Sequence, residues 1–429
     1  MDLDFVDEIN WRGLLHQTIP ETQAHCQKQK RVAYVGFDPT SDSLHIGNLV
    51  GIMLLKHFQL AGHQPIALVG GATGMIGDPS GKSKERQLLD EQTLQKNQNA
   101  IKEQLSRFLD FDQQKENSAL LVNNYDWMKD ISFIGFIRDI GKHITVNYMM
   151  AKDSVKNRLS EEDNEGMSFT EFTYQLVQAY DFLYLNRKYD CTLQMGGSDQ
   201  WGNITTGTEL LRRIDQTKGY ALTAPLITKA DGKKFGKTEQ GNIWLDANRT
   251  TPFEFYQYWI NTSDEDAARF IKLFTLLDEL TINAIVNEHE EAPHQRKLQQ
   301  RLAEEVTLMV HGSNQLEKAK KATQVLYGKS TIDDLKSLDE ATFLSVFSGV
   351  QQAHIKQKDL PLSIIDALAG QTDFLASKGE AKRALKENSV AVNKQKVKED
   401  FQITDDDLIN QKYVLLNRGK KKTFLLVIE

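Results

Sequence analysis

His45 and Asn48 stand three residues apart at the start of an apolar run, Leu44 to Ala61, that follows the β-branched segment Val32 to Gly36. On a helix both project from one face near its amino end, where free N–H groups and the dipole favour anions, so a phosphate fits there. Gly47 between them removes a side chain, as a flat ring lying against backbone would require. In VGGATGMIGDPSGKSKER, 69–86, Asp78 precedes Lys82 and Arg86, a basic pair at i, i+4 able to hold phosphate. In FTEFTYQLVQAYDFLYL, 169–185, Tyr174, Gln178 and Asp181 share one face of a helix too apolar to be exposed. They should point into a pocket, where an ammonium suits Tyr174 and Gln178 and a hydroxyl donor suits Asp181. QMGGSDQWGN, 194–203, carries Asp199 and Gln200 just after a strand, where a carboxylate can take ribose hydroxyls. Lys234 and Lys237, three apart around Gly236, make a loop able to close over a triphosphate.

Each segment also has a plainer reading: a helix start, an aromatic core helix with one satisfied carboxylate, a turn, a solvated basic loop. Two tempting motifs fail. Gly71, Gly74 and Gly77 mimic a dinucleotide fingerprint, but Asp78, Pro79, Ser80 and Gly81 follow where a helix should receive the pyrophosphate. Gly81 to Ser83 mimics the end of a phosphate-binding loop, yet Ile76 stands where that motif needs glycine.

The elements that must position these residues read as a parallel α/β sheet. Strands are expected at Val32 to Gly36, Pro65 to Gly70, Ala119 to Val122 and Thr192 to Met195, with helical patterns between them. The stretch Ile131 to Arg158 reads as two helices near Gly141, with Met149 and Met150 turned outward as a subunit contact. After Asp246 the pattern becomes helical, opening on Thr251, Pro252 and Glu254 as cap, first helical residue and capping-box partner. A polar stretch reads as a linker, and the tail returns to mixed α and β character, ending in the alternating run Thr423 to Ile428. The expected domains are 1–246, a Rossmann-like catalytic domain including the lysine loop; 247–348, all-α; 349–357, linker; and 358–429, a small α+β domain.

Composition narrows the class. The 429 residues carry 52 Lys plus Arg against 59 Asp plus Glu, a net charge of −7, with 40% hydrophobic residues, as in ordinary globular enzymes. Cys26 and Cys191 are the only cysteines and are far apart, so neither a disulfide framework nor a cysteine metal site is expected. The acidic start MDLDFVDEIN is unlike a signal peptide, and Leu49 to Leu55 falls well short of the roughly 20 residues that span a bilayer. An intracellular protein without a membrane segment is expected. Charge is uneven: Lys378 to Lys422 carries +5 and the remainder −12, which suggests a polyanion held by the tail.

HIGN after a strand and a DPT loop resembles the HIGH signature of class I aminoacyl-tRNA synthetases, and FDPTSDSLHIGNLV resembles the bacterial tyrosyl family. KFGKT, Lys234 to Thr238, resembles that family's form of the KMSKS loop, and the intervening motifs occur in the matching order. The resemblance implies a tyrosine-tRNA ligase using ATP with Mg2+, cytoplasmic and homodimeric, with no resident metal. It implies that Tyr34 and Asp181 bind the phenolic hydroxyl, that Asp78, Tyr174 and Gln178 bind the ammonium, and that Gln200 meets the carboxyl. It places Gly36, Asp38, His45, Gly47, Asn48, Gly197, Asp199, Lys234 and Lys237 around ATP, with Asp199 on the ribose. His45, Thr40, Lys82, Arg86, Lys234, Lys237 and Thr238 would surround the phosphates. The tail resembles an RNA-binding domain shared with a small-subunit ribosomal protein and pseudouridine synthases, with Lys382, Arg383 and Lys386 expected on tRNA(Tyr). This chain departs from the signature at Asn48, in place of its second histidine, and at Val35, where some relatives are polar. Tryptophanyl synthetases share the fold, and an RNA-binding or splicing factor that lost catalysis is the reading from another class.

Overall fold

In the computed structural model the described residues are 4–78, 80, 90–160, 167–232, 235–238, 241–327, 332–419 and 422–429. Their first sheet comprises β1 (Gln17–Thr18), β2 (Val32–Phe37), β3 (Gln64–Val69), β4 (Leu120–Asn123), β5 (Cys191–Gly197) and β6 (Tyr220–Ala224). Its order is β1-β6-β5-β2-β3-β4, with β2 to β6 parallel and β1 antiparallel to β6. β2 pairs with both β3 and β5, so the connections run to opposite sides from it and leave a crevice beyond the carboxyl ends of β2 and β5.

Successive residues of β2 serve opposite faces of the sheet. Tyr34 joins the core of Ile66, Leu68, Phe182, Leu183 and Leu210. Val35 and Phe37 face the other way. α1 (Phe5–Arg12) and α2 (Leu49–Leu60) lie early in the chain, and Gly51 of α2 comes so near β2 that a Cβ would sit 3.1 Å from Val35 Cγ1. α3 (Phe169–Tyr189) starts in a capping box of Ser168 with Glu171 and packs against α4 (Trp201–Asp215) over the Tyr34 face. A short hairpin, β7 (Lys237–Thr238) with β8 (Gly241–Asn242), follows.

The four expected strands lie within one to two residues of their anticipated ends, while β1 and β6 were not anticipated. The expectation for Met149 fails: it is buried beside Ile140 and Ile144, because the helix Val146–Met150 turns that side inward. Met150 is exposed, as are Phe133, Ile134, Ile137 and Val146.

The chain divides into two compact units, 1–249 with 262–310, and 250–261 with 311–429. The segment 247–348, expected as one helical domain, is therefore shared between them. α5 (Pro252–Ile260) begins in the expected capping box, with Thr251 and Glu254 bonded reciprocally. α6 (Asp264–Phe274) belongs to the first unit, and α7 (Lys297–Tyr327) is broken at Gly312, where φ is 80°.

In the second unit, α8 (Glu340–Val346) and α9 (Lys378–Lys386) lie against a sheet of β9 (Gln352–Ile355), β10 (Val390–Val392), β11 (Gln395–Lys396), β12 (Tyr413–Arg418) and β13 (Lys422–Ile428), in the order β11-β10-β12-β13-β9. Both faces are covered, which explains the unbroken apolar runs of β12 and β13. Val414, Leu416, Phe424 and Leu426 pack on one core with Ala381, Ala384 and Leu385 of α9. Tyr413, Leu415, Leu425 and Val427 pack on another with Val325, Leu335, Leu338, Phe343 and Phe347. The stretch 349–357, expected as a linker, contains β9, paired parallel with β13. Its polarity follows from its edge position, where only Ile355 is fully buried.

Candidate active site

A cavity of about 610 Å³ opens at the carboxyl ends of the parallel strands. Tyr34, Gly36 and Asp38 reach it from β2 and its following loop, Thr73 and Asp78 from beyond β3, and Gln194, Gly197, Asp199 and Gln200 from β5 and after it. Tyr174, Gln178 and Asp181 line it from α3, and Thr40, His45, Gly47 and Asn48 from the segment that enters α2. Sequence positions 34 to 200 thus converge on one space.

Asp181 is 1% exposed, and its carboxylate accepts from two side chains: Trp127 Nε1 on Oδ1 at 2.9 Å and Asn124 Nδ2 on Oδ2 at 3.0 Å. Burial pushes its pKa up to about 7, against the opposing pull of those two hydrogen bonds. Tyr34, also 1% exposed, has a hydroxyl with no hydrogen-bond partner among the described residues, and burial followed by the Asp181 charge raises its pKa well above the usual phenol value. Gln194, the direct strand neighbour of Tyr34, is buried, and its Oε1 has no hydrogen-bond partner there either. Unsatisfied buried polar atoms facing a cavity point to a polar ligand.

The Tyr174 hydroxyl donates to Asp38 Oδ2 at 2.9 Å, and Thr73 donates to Asp38 Oδ1 at 2.8 Å. Asp38, expected around ATP, is therefore bonded to the residue expected to hold the ammonium. Burial, then Asp38, Asp78 and Asp181, raise the Tyr174 pKa. Three carboxylates around one phenol form a negative pocket suited to a cation. Asp78 accepts from Gln200 Nε2 at 2.6 Å and from the Ser80 N–H at 2.9 Å, while Asn203 Nδ2 donates to Gln200 Oε1 at 3.2 Å. Gln200, expected on a substrate carboxyl, thus also buttresses Asp78.

At the HIGN segment, His45 Nδ1 accepts from the Gly47 N–H at 3.0 Å, and Asn48 Oδ1 accepts from the His45 N–H at 3.0 Å. Asn48 accordingly closes a capping box, a task for an amide oxygen. A Cβ on Gly47 would strike the His45 ring at 2.8 Å, which supplies a local reason for that glycine. The segment is tied to the chain beyond the lysine loop: Ile46 N–H donates to the Ile243 carbonyl and Ile243 N–H to the Gly236 carbonyl, each at 3.0 Å.

Lys82, Arg86 and Lys234 lie outside the described residues. Lys237 and Thr238 form β7, opposite Asn242 and Gly241. Lys382, Arg383 and Lys386 are exposed on α9, with Lys382 3.4 Å from Glu399; they are no part of the cavity. The sequence reading missed Asn124, Trp127, Thr73 and Gln194, and also Pro225 to Thr228, which line the cavity after β6. Asn124 had a signal, since it directly follows a strand end in a parallel sheet.

Comparison with known proteins agrees with this geometry. Residues 27–328 match the family of class I tRNA synthetases (W and Y), and residues 342–426 match the tyrosine-tRNA ligase SYY-like C-terminal domain. The chain is 59% identical to the tyrosine-tRNA ligase of Porphyromonas gingivalis strain W83, covering all of both chains. It is 60% identical to that of Flavobacterium psychrophilum, over 99% of this chain and 100% of the relative. Among solved structures it resembles a C-terminally truncated mitochondrial tyrosyl-tRNA synthetase of Aspergillus nidulans, with TM-score 0.67 and 29% identity over 76% of this chain and 94% of that one. Strand order, cavity position, a matched family model over most of the chain and relatives alike from end to end converge: the chain belongs to the class I tRNA synthetases and, within them, to the tyrosine-tRNA ligases.

Proposed function

We infer that the protein joins tyrosine to tRNA(Tyr) in two steps within this cavity. A tyrosine carboxylate oxygen attacks the α-phosphorus of ATP, and the bond to the leaving pyrophosphate breaks, giving tyrosyl-adenylate. A terminal ribose hydroxyl of tRNA then attacks the acyl carbon, and AMP leaves. No side chain serves as nucleophile; catalysis is positioning and charge stabilisation. Tyr34 and Asp181 take the phenolic hydroxyl, and Tyr174, Gln178 and Asp78 take the ammonium. Gln200 lies towards the carboxyl and Asp199 towards the ribose. His45 and Thr40, with Lys82, Arg86, Lys234, Lys237 and Thr238, meet the phosphates, and Gly36, Gly47, Asn48 and Gly197 let the nucleotide lie against backbone. Mg2+ arrives with ATP as part of the substrate.

The observation that carries this reading is the buried pair at the cavity wall: a carboxylate held by Asn124 and Trp127, and a Tyr34 hydroxyl without a protein partner among the described residues. An indole N–H could also meet Asp181. The C-terminal match and the full-length relatives favour tyrosine. Steady-state pyrophosphate exchange with Asp181→Ala tests the assignment: tyrosine activation should collapse, and near-normal kinetics would remove Asp181 from the substrate.

The exposed Phe133, Ile134, Ile137, Val146 and Met150 support a homodimer closed over that surface, which analytical ultracentrifugation would detect. The exposed Lys382, Arg383 and Lys386 of α9 support tRNA contact by phosphate attraction. Among the described residues no helix is long and apolar enough to cross a membrane; a cytoplasmic location follows from the role in translation.

A further inference from the structure

α6 holds the lysine loop at two places. Towards its amino end Asp266, 5% exposed, accepts the Ala230 N–H on both carboxylate oxygens, at 3.0 and 3.2 Å. Arg269, 2.9 Å from Asp266, donates to the carbonyl of Thr228, a cavity-lining residue. Towards its carboxyl end, Phe270 and Phe274 stand one turn apart and flank Phe235, with ring centroids at 5.0 Å and 61° and at 5.2 Å and 4°.

The carboxyl end of α6 is fixed in turn. Arg12 of α1, almost fully buried, donates to the carbonyls of Lys272 and Thr275 at 2.9 Å and of Leu277 at 2.7 Å, and Glu8 orients its Nε at 2.6 Å. Gly236, the neighbour of Phe235, is gripped from the opposite side. Its φ is 79°, its carbonyl takes the Ile243 N–H, and a Cβ there would sit 2.9 Å from Ile46 Cγ1. The two residues that separate Lys234 from Lys237 are therefore both pinned, one by its ring and one by its backbone.

We propose that Phe235 is a positioning residue for adenylation: seated between Phe270 and Phe274, it sets the register that presents Lys234 and Lys237 to the leaving pyrophosphate. The proposal rests on the reading that those lysines act on the phosphates. Register matters because consecutive Cα atoms lie ~3.8 Å apart, so a slip of one residue carries each side chain about that far along the loop. That is enough to exchange a lysine for Phe235 or Gly236 at the phosphates.

The test is pyrophosphate exchange and tyrosine equilibrium binding on the full-length variants Phe235→Ala, Phe235→Tyr, Phe274→Ala, the Phe235→Ala/Phe274→Ala pair, and Lys237→Ala. Phe235→Ala should lower the maximal exchange rate about tenfold or more, equivalent to ~1.4 kcal/mol of barrier, and leave the tyrosine dissociation constant within about twofold. Phe235→Tyr should restore the rate, and the double variant should be no slower than its slower parent, since both remove one contact. Phe274 is fully buried, so Phe235→Ala, a change in a half-buried loop residue, decides the matter if Phe274→Ala does not fold. A full rate in Phe235→Ala beside a slow Lys237→Ala would overturn the proposal alone, as would multiplying defects in the double variant. A full rate in Lys237→Ala would overturn the reading beneath it.

Discussion

The Tyr174 hydroxyl donates a hydrogen bond to Asp38 Oδ2 at 2.9 Å, while Thr73 donates to the other oxygen of Asp38. A phenol whose hydrogen is committed to a carboxylate faces the cavity as an acceptor, which suits an ammonium. Tyr174→Phe should therefore weaken tyrosine binding by ~1.5–3 kcal/mol, the range for a hydrogen bond to a charged group. Equilibrium dialysis checks this. Affinity for the desamino analogue, which lacks the ammonium, should be unchanged, and an equal loss for both compounds would contradict the assignment.

The Asp181 carboxyl titrates near 7 because it is buried, although Asn124 and Trp127 favour its ionised form. Because the folded pKa is raised above the ordinary carboxylate value, the contribution of Asp181 to folding stability is full below about 3.8 and is lost as pH rises through about 7. Binding has the opposite sense: the ionised form accepts a phenolic proton, so kcat/KM for tyrosine should rise with pH through a limb near 7. Asp181→Asn should abolish that limb. It should also erode discrimination against phenylalanine, which has no hydroxyl to add to the hydrogen bonds that Asn124 and Trp127 give the buried carboxylate of the unaltered protein. A flat pH profile for the unaltered protein would remove Asp181 from tyrosine recognition.

Asn48 departs from the family signature yet closes a capping box with the His45 backbone. Asn48→Ala should cost ~1 kcal/mol of stability, as the loss of one intramolecular hydrogen bond typically does. It should also raise KM for ATP while leaving the tyrosine dissociation constant unchanged. Thermal melts and exchange kinetics read the two effects separately.

The tail was expected as a separate domain beyond a linker, but β12 and β13 share a core with Val325, Leu335, Leu338, Phe343 and Phe347. Ending the chain near Gln351 should therefore bare that apolar face and provoke aggregation, visible in light scattering. Charge reversal is the cleaner probe of tRNA contact. Arg383→Glu with Lys386→Glu, both exposed, should cut tRNA charging and flatten its salt dependence while leaving pyrophosphate exchange intact.

Local chemistry was legible where one segment carried it all. The capping box of Thr251 and Glu254 and the shared face of Tyr174, Gln178 and Asp181 follow from spacing along a helix. The strands β2, β3 and β5 were visible because buried parallel strands are largely apolar, and the edge strand β4 because Leu120 to Val122 is an aliphatic run. β1 is two residues long, β6 is built largely of alanine and threonine, and β9 is a polar edge, so none stands out against a loop. Asn124 and Trp127 meet Asp181 across 57 and 54 residues, and Phe235 meets Phe274 across 39. Only tertiary packing creates such pairs, so no local period announces them.

The central claim is selective activation of tyrosine, and ATP–pyrophosphate exchange with each of the 20 amino acids in turn measures it most directly. Tyrosine alone should support rapid exchange, with phenylalanine and tryptophan lower by orders of magnitude, and tRNA(Tyr) should then accept the activated residue. Exchange led by tryptophan, or none with any amino acid, would contradict the account.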